Sequence, residues 1–325
     1  MAVIGAGVAG LTAAQRLREV GLSPVVFEKS RGLGGRLATR RTREGFAFDH
    51  GAQYITARSA AFRSAVEQAT RDGFAARWHP RGRDLLYGDS HAWIVGTPAM
   101  NALLRPFAED LDIRFSTRIA SLSRERGGWR LQAEDGTAAR FDRVVATLPA
   151  PQAAALLEDE EAIADALAGV SMAPCWSLLA AFRPAPPLEF DVLRDVTPDL
   201  AWVACSSSKP ARDGDAACWV AHAGPGWSRR HLEGDPETVA ARLSEMLAQA
   251  LGLSRLPEPA YLAAHRWRYA MTTAPLGRPF LCTADRSLFV GGDWCLGMRV
   301  ENAFESGLAI ANALSDALAV QPASS

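Results

Sequence analysis

Three glycines and one glutamate near the start of the chain have the spacing of a dinucleotide-binding turn. Gly5, Gly7 and Gly10 form a Gly-x-Gly-x-x-Gly pattern directly after a short apolar run, and Glu28 closes the next apolar run. In such a unit the first glycine permits a tight turn, the second lets the backbone approach a pyrophosphate, and the third lets the helix pack close to the sheet. The N-terminus of that helix carries unpaired N–H groups and a partial positive charge, and the glutamate accepts hydrogen bonds from a ribose. The sequence therefore predicts a βαβ unit that binds a dinucleotide.

The elements that would position these residues alternate between strands and helices. We expect a helix from Leu11 to Val20, strands at 24–28, 143–149 and 287–293, and a closing helix at 303–317. The run at 143–149 is apolar on both faces, which indicates a place in a central parallel sheet. The predicted fold class is α/β with a Rossmann-type domain.

The rest of the chain indicates a second, smaller α+β domain. Between Pro151 and Ala264, alternating strands surround helices and proline-rich joints. Glycine turns separate the strands of an expected β-meander at 113–116, 119–124, 128–134 and 141–147. We expect the nucleotide-binding domain to comprise 1–58, 94–150 and 265–325, and the substrate domain to comprise 59–93 and 151–264.

Composition argues against several function classes. The chain has 325 residues, of which 48% are hydrophobic and 22% charged, and its formal net charge of −1 offers no electrostatic case for nucleic acid or an anionic membrane. No apolar run approaches the roughly 18 residues that span a bilayer. A first strand that starts at residue 2 leaves no place for a signal peptide. The five cysteines are odd in number and far apart, which argues against a disulfide framework or a metal site and favours a cytoplasmic protein.

Three segments beyond the first turn resemble the flavin-dependent amine oxidases and their relatives. The loop 31–36 is similar to the Arg-x-Gly-Gly-Arg segment of that superfamily, with one extra position, and 142–149 resembles its Asp-x-Val-x-x-Ala/Thr-x-Pro segment. Gly292-Asp293 stands where the family places the acid that binds a ribityl hydroxyl of FAD. The resemblance implies non-covalently bound FAD and the architecture of p-hydroxybenzoate hydroxylase and the amine oxidases.

The same resemblance implies which residues contact the cofactor. Gly35 and Arg36 would reach the diphosphate and the flavin edge, and Ile119 would offer its backbone to the adenine. The helix that begins near Asn302 would aim its N-terminus at the flavin N1 and C2 carbonyl, although Asn302 also fits an ordinary helix cap. The expected cofactor-binding residues are Gly5, Gly7, Val8, Ala9, Gly10, Glu28, Lys29, Gly35, Arg36, Gly51, Ala52, Ile119, Gly292, Asp293, Asn302 and Ala303.

Within this superfamily the chain is most similar to the bacterial renalase-like proteins. The similarity rests on the runs 29–36, 49–58, 219–223, 265–270 and 292–294. It implies oxidation of isomeric dihydronicotinamide dinucleotides, reduced at the 2- or 6-position of the ring. The flavin would take a hydride and dioxygen would reoxidise it, giving NAD(P)+ and hydrogen peroxide. The substrate carries its own hydride donor, so positioning would supply most of the catalysis, and both NAD and NADP forms remain open.

The candidate substrate residues have structural alternatives. Tyr54 also fits a half-buried core aromatic, and His222 also fits a satisfied core histidine. Residues 265, 267 and 269 alternate along an apparent strand and share one face, which could stack a nicotinamide, while Arg266 or Arg268 could meet a phosphate. The candidate catalytic residues are Gln53, Tyr54, His222, Trp267 and Tyr269.

Two other functions remain open as hypotheses. A small amine oxidase or porphyrinogen-type oxidase could use the same fold. Amine oxidation usually needs an aromatic cage and often a lysine near the flavin, and this chain has only Lys29 and Lys209, the second in an apparently polar loop. The second alternative is a flavin-binding module without catalytic activity. The partners expected of an enzyme are a small-molecule substrate and dioxygen.

Overall fold

The computed structural model describes residues 1–82, 93–212 and 214–319 of the chain. The helices are α1 (Val8–Glu19), α2 (Ala60–Arg71), α3 (Arg105–Ala108), α4 (Ala150–Leu156), α5 (Glu161–Ala168), α6 (Pro225–Arg230), α7 (Pro236–Ala250) and α8 (Val300–Ala319). The strands are β1 (Ala2–Ile4), β2 (Val25–Phe27), β3 (Thr39–Arg41), β4 (Ala47–Asp49), β5 (Ala75–Arg77), β6 (Ile94–Gly96), β7 (Asp112–Arg114), β8 (Ile119–Glu125), β9 (Gly128–Ala133), β10 (Ala138–Phe141), β11 (Val144–Ala146), β12 (Ser171–Phe182), β13 (Val192–Arg194), β14 (Leu200–Cys205), β15 (Ala217–Ala223), β16 (Tyr261–Ala274), β17 (Leu281–Cys282) and β18 (Leu288–Val290).

A six-stranded sheet forms the centre of the first of two compact units. This unit comprises Met1–Gly35, Leu104–Met172 and Thr272–Ser325. Its strands follow the order β17-β18-β11-β1-β2-β7, and all neighbouring pairs are parallel except β17 with β18. Strands β1, β2, β11 and β18 are apolar and largely buried, as expected where both faces of a sheet are covered, whereas the edge strand β7 is largely exposed. The carboxyl ends of the parallel strands lie along one edge, where such folds bind their ligands.

Helices α1 and α8 pack closely in this unit. A Cβ atom on Gly307 of α8 would lie 2.2 Å from the carbonyl oxygen of Ala9 in α1. Only a residue without a side chain permits that approach of two backbones. The contact places α8, the predicted closing helix, directly against the helix of the glycine turn.

The predicted β-meander is only partly correct. Strands β8 and β9 pair antiparallel as expected, and β9 also pairs antiparallel with β10, most of which precedes the expected strand at 141–147. Strand β7 pairs in parallel with β2 and belongs to the central sheet. The expected strand at 141–147 is two strands, because the chain leaves the meander after Phe141 and enters the central sheet at Val144. The prediction that the second part rejoins the central sheet is confirmed.

The second unit comprises Arg36–Leu103 and Ala173–Met271. A five-stranded sheet runs through it in the order β13-β14-β15-β12-β16. Its core combines apolar residues of β12 and β15 with the buried side of α7, including Trp176, Trp219, Leu243 and Leu247. Two short antiparallel pairs, β3 with β4 and β5 with β6, complete this unit.

The bounds of the two units differ from the predicted domain limits. Residues 36–58, 94–103 and 265–271 fall in the second unit, and 151–172 fall in the first. Helices α4 and α5 follow β11 and share its hydrophobic core, which explains the second difference. The predicted ranges also include 83–92, 213 and 320–325, which lie outside the described residues. Among the helices of the described ranges, none has both the length and the apolar character needed to cross a membrane.

Candidate functional site

The glycine turn after β1 has the geometry that its spacing predicts. Gly5 has a φ of +107° and donates its N–H to the carbonyl of Phe27 at 2.8 Å. A Cβ atom on Gly10 would lie 2.0 Å from the carbonyl oxygen of Gly5, whereas a Cβ atom on Gly7 would meet nothing within 4 Å. Helix α1 begins at Val8, which Ala9 follows, and no side chain caps its N-terminus. The open backbone at Gly7 and the uncapped N–H groups fit a diphosphate.

Glu28 lies beside this turn. Its Oε2 atom accepts the N–H of Ala6 at 2.8 Å, and its Oε1 atom accepts the N–H of Ser30 at 2.8 Å. The residue is only 5% exposed. Because each carboxylate oxygen has a second lone pair, Glu28 can orient the turn and still accept a ribose hydroxyl.

A cavity of about 460 Å³ lies within the first unit next to Glu28. Most of the residues that line it have polar or charged side chains: Lys29, Ser30, Ser116, Thr117, Arg118, Ala133, Glu134 and Asp135. Burial lowers the pKa of Lys29, and the charge of Arg118 lowers it further. Ile119 follows Arg118 at the start of β8. The volume and the polar rim suit the nucleoside end of a dinucleotide.

The glycines before Arg36 meet the glycine turn. The N–H of Gly34 donates to the carbonyl of Ala6 at 3.2 Å, and a Cβ atom on Gly35, whose φ is +53°, would lie 4.0 Å from the Cα atom of Gly7. The loop and the turn therefore present their backbones together, as a phosphate-binding pair requires.

Gly292 and Asp293 follow β18 at the same edge of the sheet. The hydroxyl of Ser306 accepts the N–H of Gly292 at 3.0 Å and donates to the carbonyl of Pro279 at 2.7 Å. The indole of Trp294 donates to the carbonyl of Leu148 at 2.9 Å. These bonds fix the turn that carries Asp293, whose cofactor role stays a prediction.

The start of α8 is capped by the side chain of Asn302. Its Oδ1 atom accepts the N–H of Arg299 at 3.0 Å, and Glu301 pairs with the guanidinium of Arg299. This is the ordinary helix cap that the sequence left open. It accounts for Asn302 without a ligand, and the cofactor roles of Asn302 and Ala303, in the first turn of α8, stay predictions.

Within the second unit, Arg36 is held by the segment that contains Gly51 and Ala52. The carbonyl of Arg36 accepts the N–H of Ala52 at 2.9 Å, and its Nη1 atom donates to the carbonyl of Ala270 at 3.1 Å. A Cβ atom on Gly51 would lie 2.0 Å from the Arg36 oxygen. Packing alone thus requires glycine at 51, and the predicted cofactor contacts of these residues are untested.

A buried charge cluster follows at the end of β4, formed by Asp49, Lys209 and Arg212. The Oδ2 atom of Asp49 lies 3.2 Å from the Nζ atom of Lys209 and 2.7 Å from the Nη2 atom of Arg212. The three side chains are 0%, 0% and 5% exposed, respectively. Lys209 lies in a bend directly after the turn at 206–208, as expected of a loop, but its side chain is buried, and its ammonium lies 5.2 Å from the centre of the Trp78 ring.

The electrostatics of this cluster are asymmetric. Burial by itself would raise the pKa of Asp49, but the charges of Lys209 and Arg212 outweigh burial and hold the pKa below its usual range. Burial lowers the pKa of Lys209, and Asp49 opposes that effect. Two cationic side chains thus share one carboxylate in a buried region. The rarity of lysine in this arginine-rich chain is the one sequence signal that could have singled out Lys209.

Gln53 and Tyr54 are both engaged by neighbours in the second unit. The Oε1 atom of Gln53 accepts from Lys209 at 3.3 Å, and its Nε2 atom donates to the carbonyls of Asp49 and Gly51. The Tyr54 ring stacks on Trp93, with centroids 4.0 Å apart and planes 7° apart. Both side chains are held in one orientation, and their proposed contact with substrate is untested.

His50, His265 and Trp267 form an aromatic platform in the second unit. The His50 ring lies 4.6 Å from His265 and 4.9 Å from Trp267, and the last two rings lie 4.5 Å apart. Burial lowers the pKa of His50 to about 3 and that of His265 to about 4, so both rings are neutral near pH 7. Tyr269 is partly buried and follows on the same strand, β16.

Three side chains contact the carbonyl oxygen of His50. It accepts the indole N–H of Trp267 at 2.9 Å and the hydroxyl of Ser177 at 2.9 Å, and the Nε2 atom of His222 lies 3.2 Å away. Burial lowers the pKa of His222 to about 4, so His222 is neutral near pH 7. A neutral ring that bonds a carbonyl through Nε2 carries its proton on that atom. Sequence reasoning missed His50 and Ser177, although His50 directly precedes Gly51 in the quoted run.

Arg266 and Arg268 both contact Glu233, and their predicted contact with a phosphate stays a prediction. Their guanidinium groups lie 2.9 Å and 2.5 Å, respectively, from the carboxylate oxygens of Glu233. Alternate residues of a strand point to opposite faces, so the two arginines lie opposite to His265 and Trp267. A phosphate bound by these arginines would have to compete with Glu233 on the other side of β16.

Comparison with known proteins agrees with this architecture. The model of the flavin containing amine oxidoreductase family matches residues 75–315, and that of the NAD(P)-binding Rossmann-like domain matches residues 3–69. Flavin-containing monooxygenase FMO GS-OX-like 2 of Arabidopsis thaliana is 33% identical over 150 residues. That match covers 41% of this chain and 31% of the plant protein, so the chain spans about a third of this relative's length.

Solved structures with the same fold cover nearly the whole chain. A protein of Exiguobacterium sp. 255-15 assigned as a protoporphyrinogen oxidase superposes with a TM-score of 0.75 at 16% identity, covering 98% of each chain. Cyclohexylamine oxidase of Brevibacterium oxydans IH-35A superposes with a TM-score of 0.71 at 13% identity, covering 98% of this chain and 99% of that one. At such identities the likeness shows the fold alone.

The family match extends over more than half of the sequence, and the glycine turn with Glu28 lies in the part matched as a Rossmann-like domain. These matches support a flavin as the cofactor of the chain. The chain therefore belongs to the flavin containing amine oxidoreductase family and is a flavin-dependent oxidoreductase.

Proposed function

We propose that this oxidoreductase is an FAD-dependent oxidase of isomeric dihydronicotinamide dinucleotides, the 2- and 6-dihydro forms of NAD(P). The resemblance to renalase-like proteins suggests this substrate class. FAD, when bound, accepts a hydride at N5 and passes the electrons to dioxygen, which yields NAD(P)+ and hydrogen peroxide. The protein's own residues have to bind the two nucleotides, orient the dihydronicotinamide ring and exclude water.

Residues of the first unit would hold FAD. The open backbone at Gly7 and the N-terminus of α1 suit the diphosphate, and Glu28 suits a ribose hydroxyl. Burial raises the pKa of Cys295 to about 12, and this side chain is fully buried. A thiol in that state is a poor nucleophile, which supports non-covalent binding. Acid precipitation of the holoenzyme should therefore leave the flavin in the supernatant.

The observation that carries the substrate proposal is the aromatic platform. His50, His265 and Trp267 are neutral near pH 7 and lie within 5 Å of one another by ring centroid. A dihydronicotinamide ring is flat and uncharged, and aromatisation drives its loss of hydride. Such a substrate needs stacking and orientation rather than a base, and a neutral aromatic surface supplies both.

One observation favours an amine or porphyrinogen-type oxidase as the second candidate. Lys209 is buried beside Asp49, and an aromatic cluster of Tyr54, Trp78, Trp93 and Trp202 lies in the same unit. However, Tyr54 and Trp93 stack on each other at 4.0 Å, which leaves no space for an amine between the two rings. The Nζ atom of Lys209 is also engaged by Asp49 and Gln53. The ring stack and the engaged lysine both favour the dihydronicotinamide oxidase over the amine oxidase.

Anaerobic reduction of the holoenzyme separates the candidates. The purified protein is mixed with 2- or 6-dihydroNAD(P), with ordinary NADH, with primary and secondary amines, and with a porphyrinogen, and loss of flavin absorbance is recorded. Rapid bleaching by the dihydro isomers alone is the expected result. Bleaching by amines or porphyrinogen alone would replace the first candidate by the second. A well-folded protein that binds no flavin would overturn the FAD assignment.

The cytoplasm is the proposed location. This part of the proposal rests on the cysteines, since all five are free thiols, as is usual in a reducing compartment. The other partner proposed is dioxygen, which the oxidase reaction consumes.

A further inference from the structure

The hydroxyl of Thr147 contacts the glycine turn of the first unit. Thr147 is the first residue after β11, which pairs in parallel with β1. Its N–H donates to the carbonyl of Ile4 at 2.9 Å and continues the ladder between the two strands. Its hydroxyl lies 3.0 Å from the same oxygen and 3.3 Å from the carbonyl oxygen of Gly5, which is the geometry of a three-centre hydrogen bond. The ladder needs only the N–H, so the hydroxyl adds a separate contact to the turn.

Two glycines of the turn make room for this hydroxyl. A Cβ atom on Gly10 would lie 2.7 Å from the Thr147 hydroxyl oxygen, and a Cβ atom on Gly5 would lie 3.0 Å from it. A side chain on either glycine would therefore crowd the oxygen. Through this contact Thr147 joins β11 to both β1 and α1.

Thr147 and Glu28 hold opposite ends of one peptide group. The peptide that joins Gly5 to Ala6 has its carbonyl oxygen 3.3 Å from the hydroxyl of Thr147. Its N–H donates to the Oε2 atom of Glu28 at 2.8 Å. Because a peptide group is planar, rotation of this group would break both contacts at once. The next carbonyl, that of Ala6, accepts the N–H of Gly34 at 3.2 Å, so the backbone is held as far as the N-cap residue of α1.

We propose that Thr147 is a positioning residue of the cofactor site, whose hydroxyl fixes the peptide between Gly5 and Ala6 so that the N–H groups after it keep the direction that a bound diphosphate requires. These are the N–H groups of Gly7 and of the first turn of α1, which no side chain caps. Donors that are already oriented bind an anion more tightly, because less freedom is lost on binding. The proposal rests on the FAD part of the proposed function and is independent of the substrate.

The test isolates the hydroxyl by comparing two substitutions at one position. Thr147→Ala and Thr147→Ser both remove the γ-methyl group, and only Thr147→Ser keeps the hydroxyl. Thr283→Ala is the matched control, because Thr283 belongs to the same unit. Its hydroxyl donates to Asp285 at 2.6 Å and accepts the N–H of Leu288 at 3.1 Å, in the turn between β17 and β18. The readouts are the dissociation constant of FAD, the phosphorus NMR signals of the bound diphosphate and urea unfolding of the apoprotein.

We expect Thr147→Ala to shift the phosphorus signals and to raise the dissociation constant of FAD by about 2- to 10-fold, the range for one hydrogen bond. Thr147→Ser should keep both as in the wild type. Thr283→Ala should lower the free energy of unfolding without changing either FAD readout. In a Glu28→Ala background, Thr147→Ala should raise the dissociation constant by a smaller factor, because the peptide is already released at its N–H end.

Unchanged FAD affinity and phosphorus signals in Thr147→Ala would overturn the proposal. Equal losses of affinity in Thr147→Ala and Thr147→Ser would also overturn it, since the methyl group and not the hydroxyl would then matter. An equal loss in Thr283→Ala would show that any lost hydroxyl has this effect, and would refute a positioning role. None of these readouts needs a substrate, so failure of the dihydronicotinamide proposal in the bleaching assay is distinguishable from failure of this one.

Discussion

The ammonium of Lys209 lies 3.2 Å from the Oδ2 atom of Asp49, with both side chains fully buried. Arg212 shares that oxygen at 2.7 Å, and Thr39 donates to the other oxygen at 2.5 Å. Asp49 therefore pairs with two cations, which outnumber its one negative charge, and it anchors the chain that leads to His50 and Gln53. Loss of the carboxylate would leave two buried positive charges without a counter-charge, whereas loss of the lysine would leave a matched pair.

That asymmetry predicts unequal effects on stability. Asp49→Asn should lower the free energy of unfolding by about 3–5 kcal/mol, as breaking a buried pair usually does. Lys209→Met should lower it by about 1–3 kcal/mol, the loss expected when Gln53 is left without its donor. Urea unfolding measures both. Glu233→Gln is the control, because Glu233 also contacts two arginines but is exposed, and it should change little. Equal losses of unfolding free energy in Asp49→Asn and Lys209→Met would contradict the inference that one carboxylate is shared by two buried cations.

Replacement by alanine should have different effects at Gly7 and at Gly10, the second and third glycines of the turn. At Gly7 a Cβ atom meets nothing within 4 Å, so Gly7→Ala should keep the unfolding temperature of the apoprotein and weaken FAD binding by blocking the diphosphate. At Gly10 a Cβ atom would lie 2.0 Å from the Gly5 oxygen, so Gly10→Ala should lower both stability and binding. Thermal unfolding and flavin titration test the pair. Normal FAD binding by Gly7→Ala would show that no ligand approaches there.

Glu28 holds the backbone of the turn and is expected to accept a ribose hydroxyl, and two substitutions separate these roles. Glu28→Ala removes the acceptors of the Ala6 and Ser30 N–H groups and should weaken FAD retention and lower apoprotein stability. Glu28→Gln keeps one oxygen acceptor and should retain more of the stability while still weakening the ribose contact. The measurements are FAD affinity and urea unfolding of the apoprotein. Unchanged FAD affinity in both variants would refute the ribose role.

His50, His222 and His265, one of them buried and two partly buried, predict a pH dependence of stability. Their ordinary pKa is 6.5, and burial lowers it to about 4 for His222 and His265 and to about 3 for His50. The unfolded chain therefore binds more protons than the folded chain between about pH 6.5 and about pH 4, and the free energy of unfolding should fall as the pH drops through that window. Asp49 adds a separate loss at lower pH, since its pKa is held below the ordinary 3.8.

Urea unfolding at a series of pH values tests this dependence. His222→Gln should flatten the fall in stability between about pH 6.5 and about pH 4, because it removes one of the groups that titrate there. The matched variant of exposed His79, His79→Gln, should leave the slope as in the wild type. Equal slopes in wild type and His222→Gln would contradict a neutral His222 with a lowered pKa.

The nucleotide-binding half follows from local sequence. Gly5, Gly7, Gly10 and Glu28 lie within one βαβ unit, and the bond from Ala6 to Glu28 joins residues only 22 positions apart. Backbone conformation at glycine and the parallel pairing of β1 with β2 fix their geometry almost completely. Family-model matches over residues 3–69 and 75–315 agree with the predicted superfamily.

The contacts of the second unit depend on long-range packing. Lys209 meets Asp49 across 160 positions, and Trp267 meets His50 across 217. Neither spacing carries a periodic signal, so Lys209 was expected in a polar loop and the His50 carbonyl was not considered. The face shared by His265 and Trp267 was predictable from strand alternation, but their contact with His50 was not.

By itself, the sequence predicted a dinucleotide at the glycine turn and showed that the chain resembles flavin oxidases, because short-range spacing dictates a turn, a helix N-terminus and an acid. The tertiary structure decided which buried groups converge, namely Lys209 and Arg212 on Asp49, and Ser177, His222 and Trp267 on His50. The physical reason is that burial and sheet order set these contacts, and both depend on strands distant in sequence packing side by side.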